Sequence, residues 1–143
     1  MLALALNLLA ALMMTGLVWH EQIVHYPIFD EVGKKQFKLF MREHVVKTAY
    51  FVGPFMIFES IVALWLAIAT PSIQATLALL LLVGVWIVTF MLLIPDYRGL
   101  SMDKDKKAIK KLLRNNLLRC GLWSLRAIIL LSLLWHEHTV SHW

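Results

Sequence analysis

The sequence predicts an all-α membrane protein: a four-helix bundle of four spans, with an amphipathic interfacial helix ahead of the second. Three observations predict it. Of 143 residues, 60% are hydrophobic, well above the half or so typical of a soluble domain. Four apolar runs, at about 2–19, 49–69, 73–94 and 112–135, are each long enough to cross or nearly cross a bilayer. The cations fall in two blocks between those runs. Lys34, Lys35, Lys38, Arg42 and Lys47 precede the second span, and Arg98, Lys104, Lys106, Lys107, Lys110, Lys111 and Arg114 follow the third.

Taken in order, the first span runs from about Leu2 to Trp19. It lacks the positive leading region of a signal peptide and reads as a retained span. Polarity then rises through His20, Glu21 and Gln22 to His25-Tyr26-Pro27. Pro27 disfavours helix at Tyr26, which predicts a turn or re-entry there. Residues 30–46 read as the amphipathic helix. Val32, Phe37, Phe40 and Met41 are its apolar side, and Lys34, Lys35, Lys38 and Arg42 its wet side. The second span carries an early Gly53-Pro54, and Thr70-Pro71-Ser72 makes a tight turn. The third span stops at Pro95-Asp96, and a basic segment leads into the fourth. No repeat, low-complexity linker or domain boundary interrupts residues 1–143, so a single transmembrane domain is expected.

The charge pattern sets an orientation. Twelve of the 14 lysines and arginines lie in the two blocks, the other two are Arg119 and Arg126, and the ends and the turn near Pro71 have none. Basic loops stay in the cytoplasm, which predicts a multi-pass plasma-membrane protein with both termini outside. The net charge of +5 is therefore explained by membrane loops, and nucleic acid is not an expected partner. The expected partners are the bilayer itself and anionic lipid headgroups at the basic loops. A second copy of the chain or a larger membrane complex is also compatible.

The fourth span is the chemically unusual one. Arg119 and Arg126 stand seven residues apart inside it, hence on one helical face, with Trp123 close by and Asn115 and Asn116 flanking. A guanidinium at the centre of a span costs about 2.5–3.5 kcal/mol on insertion scales. This predicts a polar seam turned into the bundle. Glu59, about ten residues into the second span, would lie about 15 Å deep, near the bilayer centre. An ion pair of Glu59 with Arg119 or Arg126 would relieve both charges. Glu59, Asn115, Asn116, Arg119, Trp123 and Arg126 are accordingly the candidate binding residues. Such a pair could lock the bundle, or it could belong to a binding site or a proton path.

Histidine is the remaining signal. His20, His25 and His44, joined by Asp96, belong near the cytoplasmic interface, and imidazole with carboxylate is a ligand set for a metal ion or haem. His20 and His25 cannot share one helical face, being about 140° apart. A chain break before Pro27 could bring them together. The alternative is interfacial histidines bonded to headgroups and backbone. The tail H-E-H at 136–138 is not the H-E-x-x-H zinc motif and reads, with His142, as a solvated tail. Cys120 is the one cysteine, so no intramolecular disulfide can form. There is no glycine-rich phosphate loop and no G-x-S-x-G elbow.

The order of a short first span, Tyr26-Pro27-Ile28-Phe29, Phe37 to Met41, and Gly53-Pro54-Phe55-Met56 resembles small four-span bacterial membrane proteins. These include anthrone-oxygenase-like, copper-resistance-D-like and membrane protoporphyrinogen-oxidase-like proteins. N-N-L-L-R-C-G-L-W-S-L-R at 115–126 is similar to the last span of uncharacterised members. The haem-linked type implies redox chemistry on a porphyrin and a histidine within the first span. Here the nearest is His20, at the span's end, and no catalytic residue is carried over. Three functions follow as expectations. One is a buried polar pocket for a metal, haem or small lipophilic substrate, with oxidoreductase activity compatible. The others are a proton-coupled transporter titrating Glu59, and a non-catalytic accessory subunit.

Overall fold

The computed structural model of the protein describes residues 1–140 and is all-α. Four long helices follow one another up and down: α1 (Leu2–Ile28), α2 (Lys34–Ala69), α3 (Ile73–Met102) and α4 (Lys106–Val140). All four are long and apolar enough to cross a membrane. They form a ring in which α1 packs on α2, α2 on α3, α3 on α4 and α4 on α1. Helices α2 and α4 therefore face each other across the diagonal, and whatever joins them passes through the bundle's centre. His142 lies outside the described residues.

The helices outrun their apolar stretches. The amphipathic segment and the second span are one helix of 36 residues, about 54 Å long against about 30 Å of hydrocarbon. Its lysine-rich start projects beyond the membrane as a continuation of the span. Both segments share the 3.6-residue period, so the sequence pattern holds no mark of separation between them. Pro54 lies inside α2 without ending it. Helix α2 stops at Thr70, where Pro71 disfavours helix in the residue before it. Ser72 then caps α3, its Oγ accepting from the Ala75 amide at 3.1 Å.

Pro27 and Pro95 act differently. Each stands two residues beyond a widened π turn, Glu21–His25 in α1 and Thr89–Leu93 in α3. A proline lacks the amide and crowds the carbonyl four residues back. Here the helix accommodates that by passing to five-residue bonds, Tyr26 to Glu21 and Ile94 to Thr89. The chain continues as helix to Ile28 and Met102 rather than turning at either proline. The extra residue in each turn rotates the rest of the helix beyond it, and this sets the directions of Tyr26, Asp96 and Tyr97.

The core has three levels. Leu4, Leu8, Leu66, Ala78 and Leu130 fill the end near the termini. Met14, Met56, Ala63, Leu82 and Trp123 fill the middle. Tyr26, Phe29, Phe37, Met41, Leu93 and Leu112 fill the end near the two basic loops. Small buried residues, among them Ala10, Ala11, Ala63 and Ala78, let the backbones approach. Large apolar side chains such as Leu12, Ile61, Leu80 and Ile128 point outward, as a lipid-facing surface requires. At the loop end the Lys104 ammonium donates to the carbonyls of Asp30 (2.6 Å) and Val32 (2.7 Å), which ties the α3–α4 loop to the α1–α2 loop. Lys106 pairs with Asp30 at 3.7 Å beside it, an exposed contact worth about 0–1 kcal/mol.

Candidate functional site

The centre of the bundle is a polar cross-brace. Arg126 of α4 is fully buried and reaches three other helices. Its Nη1 bonds the Glu59 carboxylate of α2, its Nη2 bonds Asn7 Oδ1 of α1, and its Nε donates to the Ala78 carbonyl of α3 at 3.1 Å. Trp123 Nε1 donates to Glu59 as well, 3.1 Å from Oε2. Among the buried charges, Arg126 is thus the partner of Glu59. Helix α4 brings both residues to one face because Trp123 and Arg126 are three apart, and Glu59 meets them across the diagonal. With every helix contributing, the brace fixes depth and rotation together. Glu59, Asn7 and Arg126 line neither the cavity between α2 and α3 nor the one between α1 and α2.

Arg119 lies two turns closer to the loops and is differently placed. It is 4% exposed, its guanidinium stacks over the Trp123 ring at 5.2 Å, and its Nε has no hydrogen-bond partner among the described residues. Among the described residues it enters no ion pair. Instead it forms part of the wall of a cavity of about 750 Å³ between α2 and α3. Val52, Gly53, Met56, Trp86 and Phe90 make that wall mainly apolar, and Thr89 adds a buried hydroxyl without a partner. Gly53 leaves room there, since a methyl group added to it would meet nothing within 4 Å.

A smaller cavity, about 390 Å³, opens between α1 and α2 beside Glu21, His25 and His44. A hydrogen-bonded line joins the two. The Tyr26 hydroxyl donates to Glu21 Oε2 at 2.9 Å and shares a hydrogen bond with the Tyr97 hydroxyl, and Tyr97 lines the larger cavity. All three residues are buried. The rotation at the two π turns aims them at one another.

The sequence-derived candidates separate into groups. His25 Nε2 and His44 Nδ1 face each other at 3.0 Å, and Thr48 Oγ1 stands 3.4 Å from the same His44 nitrogen. One of the two facing ring nitrogens must carry the proton and the other the lone pair. His20 is exposed, and among the described residues no hydrogen bond or ring contact joins it to this pair. Among the described residues, no group of three or more His, Cys, Asp and Glu is arranged to hold a metal ion. Asp96 bonds Asn115 Nδ2 (2.6 Å) and Lys111 Nζ (3.0 Å) rather than the histidines. Asn116 reaches α1 at Gln22 Oε1 (3.0 Å) and the Val18 carbonyl (3.3 Å). Glu59, Trp123 and Arg126 form the brace, and Arg119 alone of the six binding candidates lines the large cavity.

Four residues of this arrangement were missed from the sequence: Asn7, Glu21, Tyr26 and Tyr97. Asn7 had a signal, being the one polar side chain inside the first apolar run before Thr15. The two tyrosines had none, since tyrosine near a membrane interface is ordinary. No family model, curated protein or solved structure matches the chain.

Proposed function

We propose that this is a bacterial inner-membrane protein that binds a small lipophilic molecule in the cavity between α2 and α3, with Arg119 as its polar anchor. The observation that carries the reading is a buried guanidinium with an unpartnered Nε in the wall of an apolar cavity of about 750 Å³. That size lies within the usual range of ligand pockets, and a few polar groups in an apolar wall are their usual composition. A buried, intramembrane arginine that enters no ion pair marks a functional site by default. The brace of Glu59 and Arg126 then serves as scaffold, holding Trp123 and through it Arg119. A lipophile is favoured over a metal ion or haem because His25 and His44 bond each other and, among the described residues, no hydrogen bond or ring contact joins His20 to them.

The orientation belongs to the same proposal. The two basic loops lie at one end of the bundle and the cation-free turn at Pro71 at the other, which supports cytoplasmic loops and external termini. The resemblance to small four-span bacterial membrane proteins is compatible with this reading. A second reading, proton-coupled transport, is favoured by the Glu21–Tyr26–Tyr97 line between the cavities, and it would use Glu21 rather than the enclosed Glu59.

The test is saturable binding. In detergent, 10-bromodecan-1-ol should quench tryptophan fluorescence to a plateau, because Trp86 lines the cavity. Gly53→Phe, which fills the cavity from a position with open space, should abolish the plateau. Quenching that rises without saturation, equally in both proteins, would show partition into the micelle and defeat the reading.

A further inference from the structure

The charges around the cavity narrow the ligand further. Arg126 is paired with Glu59, Asn7 and the Ala78 carbonyl. Arg119 has no such set. It stacks on the Trp123 face and lies within hydrogen-bonding reach of the Tyr97 side chain, while its Nε has no partner among the described residues. Glu21 is within electrostatic range of the same tyrosines, yet its Oε2 is held by Tyr26 and it makes no ion pair with Arg119 among the described residues. A guanidinium only donates, so whatever completes Arg119 must accept. In a low-dielectric cavity an ionised acceptor is held more strongly than a neutral one.

Resting on the binding reading above, we infer that the cavity is built for a lipophilic acid: a single apolar body ending in a carboxylate, whose head meets Arg119 and whose body lies along Val52, Met56 and Phe90. Depth separates this from an anionic phospholipid. Arg119 lies seven residues, about 10 Å, from the Glu59–Arg126 level along α4, still inside the hydrocarbon half-thickness of about 15 Å. A phospholipid phosphate sits outside that layer, whereas a free acid with one headgroup can be drawn into it. The partnerless hydroxyl of Thr89 in the same wall offers the carboxylate a second donor.

The experiment compares three brominated probes by tryptophan quenching of the intact protein at pH 9, where the acid is ionised: 10-bromodecanoate, 10-bromodecan-1-ol and a phosphatidylglycerol with a dibrominated chain. The expected result is saturable binding of acid and alcohol, with the acid tighter by about tenfold or more, the scale of one hydrogen bond to a charged group. Arg119→Gln should abolish the advantage of the acid over the alcohol, and Arg119→Lys should keep part of it. Equal binding of acid and alcohol to the wild-type protein would overturn the inference while leaving the pocket standing. Saturable quenching by phosphatidylglycerol that competes with the acid would overturn it in favour of a lipid headgroup. If neither acid nor alcohol saturates, the binding reading itself has failed. The wild-type comparison decides the matter even if an Arg119 variant folds poorly.

Discussion

Removing either side of the Glu59–Arg126 pair should weaken the bundle strongly, and by different amounts. Glu59→Gln keeps the shape and one acceptor oxygen for Arg126, but it leaves the guanidinium without a counter-charge and asks the Gln amide to face donors. The expected loss is near the lower end of the about 3–5 kcal/mol found when a buried pair is broken from one side. Arg126→Met removes the groups that bond Glu59, Asn7 and the Ala78 carbonyl. Glu59 then keeps only the Trp123 indole as donor, and Asn7 Oδ1 loses its partner. That loss should reach the upper end of the same range, about 5 kcal/mol. The double variant holds no buried charge at this level and should recover about 2 kcal/mol or more relative to the sum of the singles, within the range of coupling energies for contacting residues. Equilibrium unfolding in mixed micelles of mild and denaturing detergent, followed by tryptophan fluorescence, measures all four proteins. Losses that add to within about 0.5 kcal/mol would refute the coupling and with it the brace.

Other outcomes are expected with simpler assays. Asn7→Leu should cost about 1–3 kcal/mol in the same unfolding experiment, because Arg126 Nη2 loses its acceptor in the core; a neutral effect would mean that Asn7 is dispensable to Arg126. Tyr26→Phe should cost a similar about 1–3 kcal/mol by leaving Glu21 and Tyr97 without their shared hydroxyl, whereas Tyr50→Phe, at an 80% exposed position, should be silent. In a Cys120→Ser background, an impermeant thiol reagent on intact cells should label Thr70→Cys and spare Met102→Cys, both exposed positions. The reverse pattern would invert the orientation.

The sequence by itself determined the spans, the two basic loops and the need for a partner at Glu59. Those follow from local properties: run length, charge placement and the cost of a charge in hydrocarbon. It also placed Arg119, Trp123 and Arg126 on one face, since the helical period alone does that. Which arginine meets Glu59 could not be read, because the answer depends on how far α2 and α4 slide and rotate relative to each other, and the two arginines straddle the depth expected of Glu59. The same is true of Asp96, which the sequence set beside the histidines and the structure joins to Asn115 and Lys111. The line from Glu21 through Tyr26 to Tyr97 depends on one extra residue in each of two π turns. Prolines signal a disturbance in sequence but not whether a helix breaks, kinks or widens. Tertiary packing decided that, because continuing each helix to the loop end buries Tyr26, Leu93, Tyr97 and Leu100 against α2 and α4, and a break at either proline would forfeit that burial.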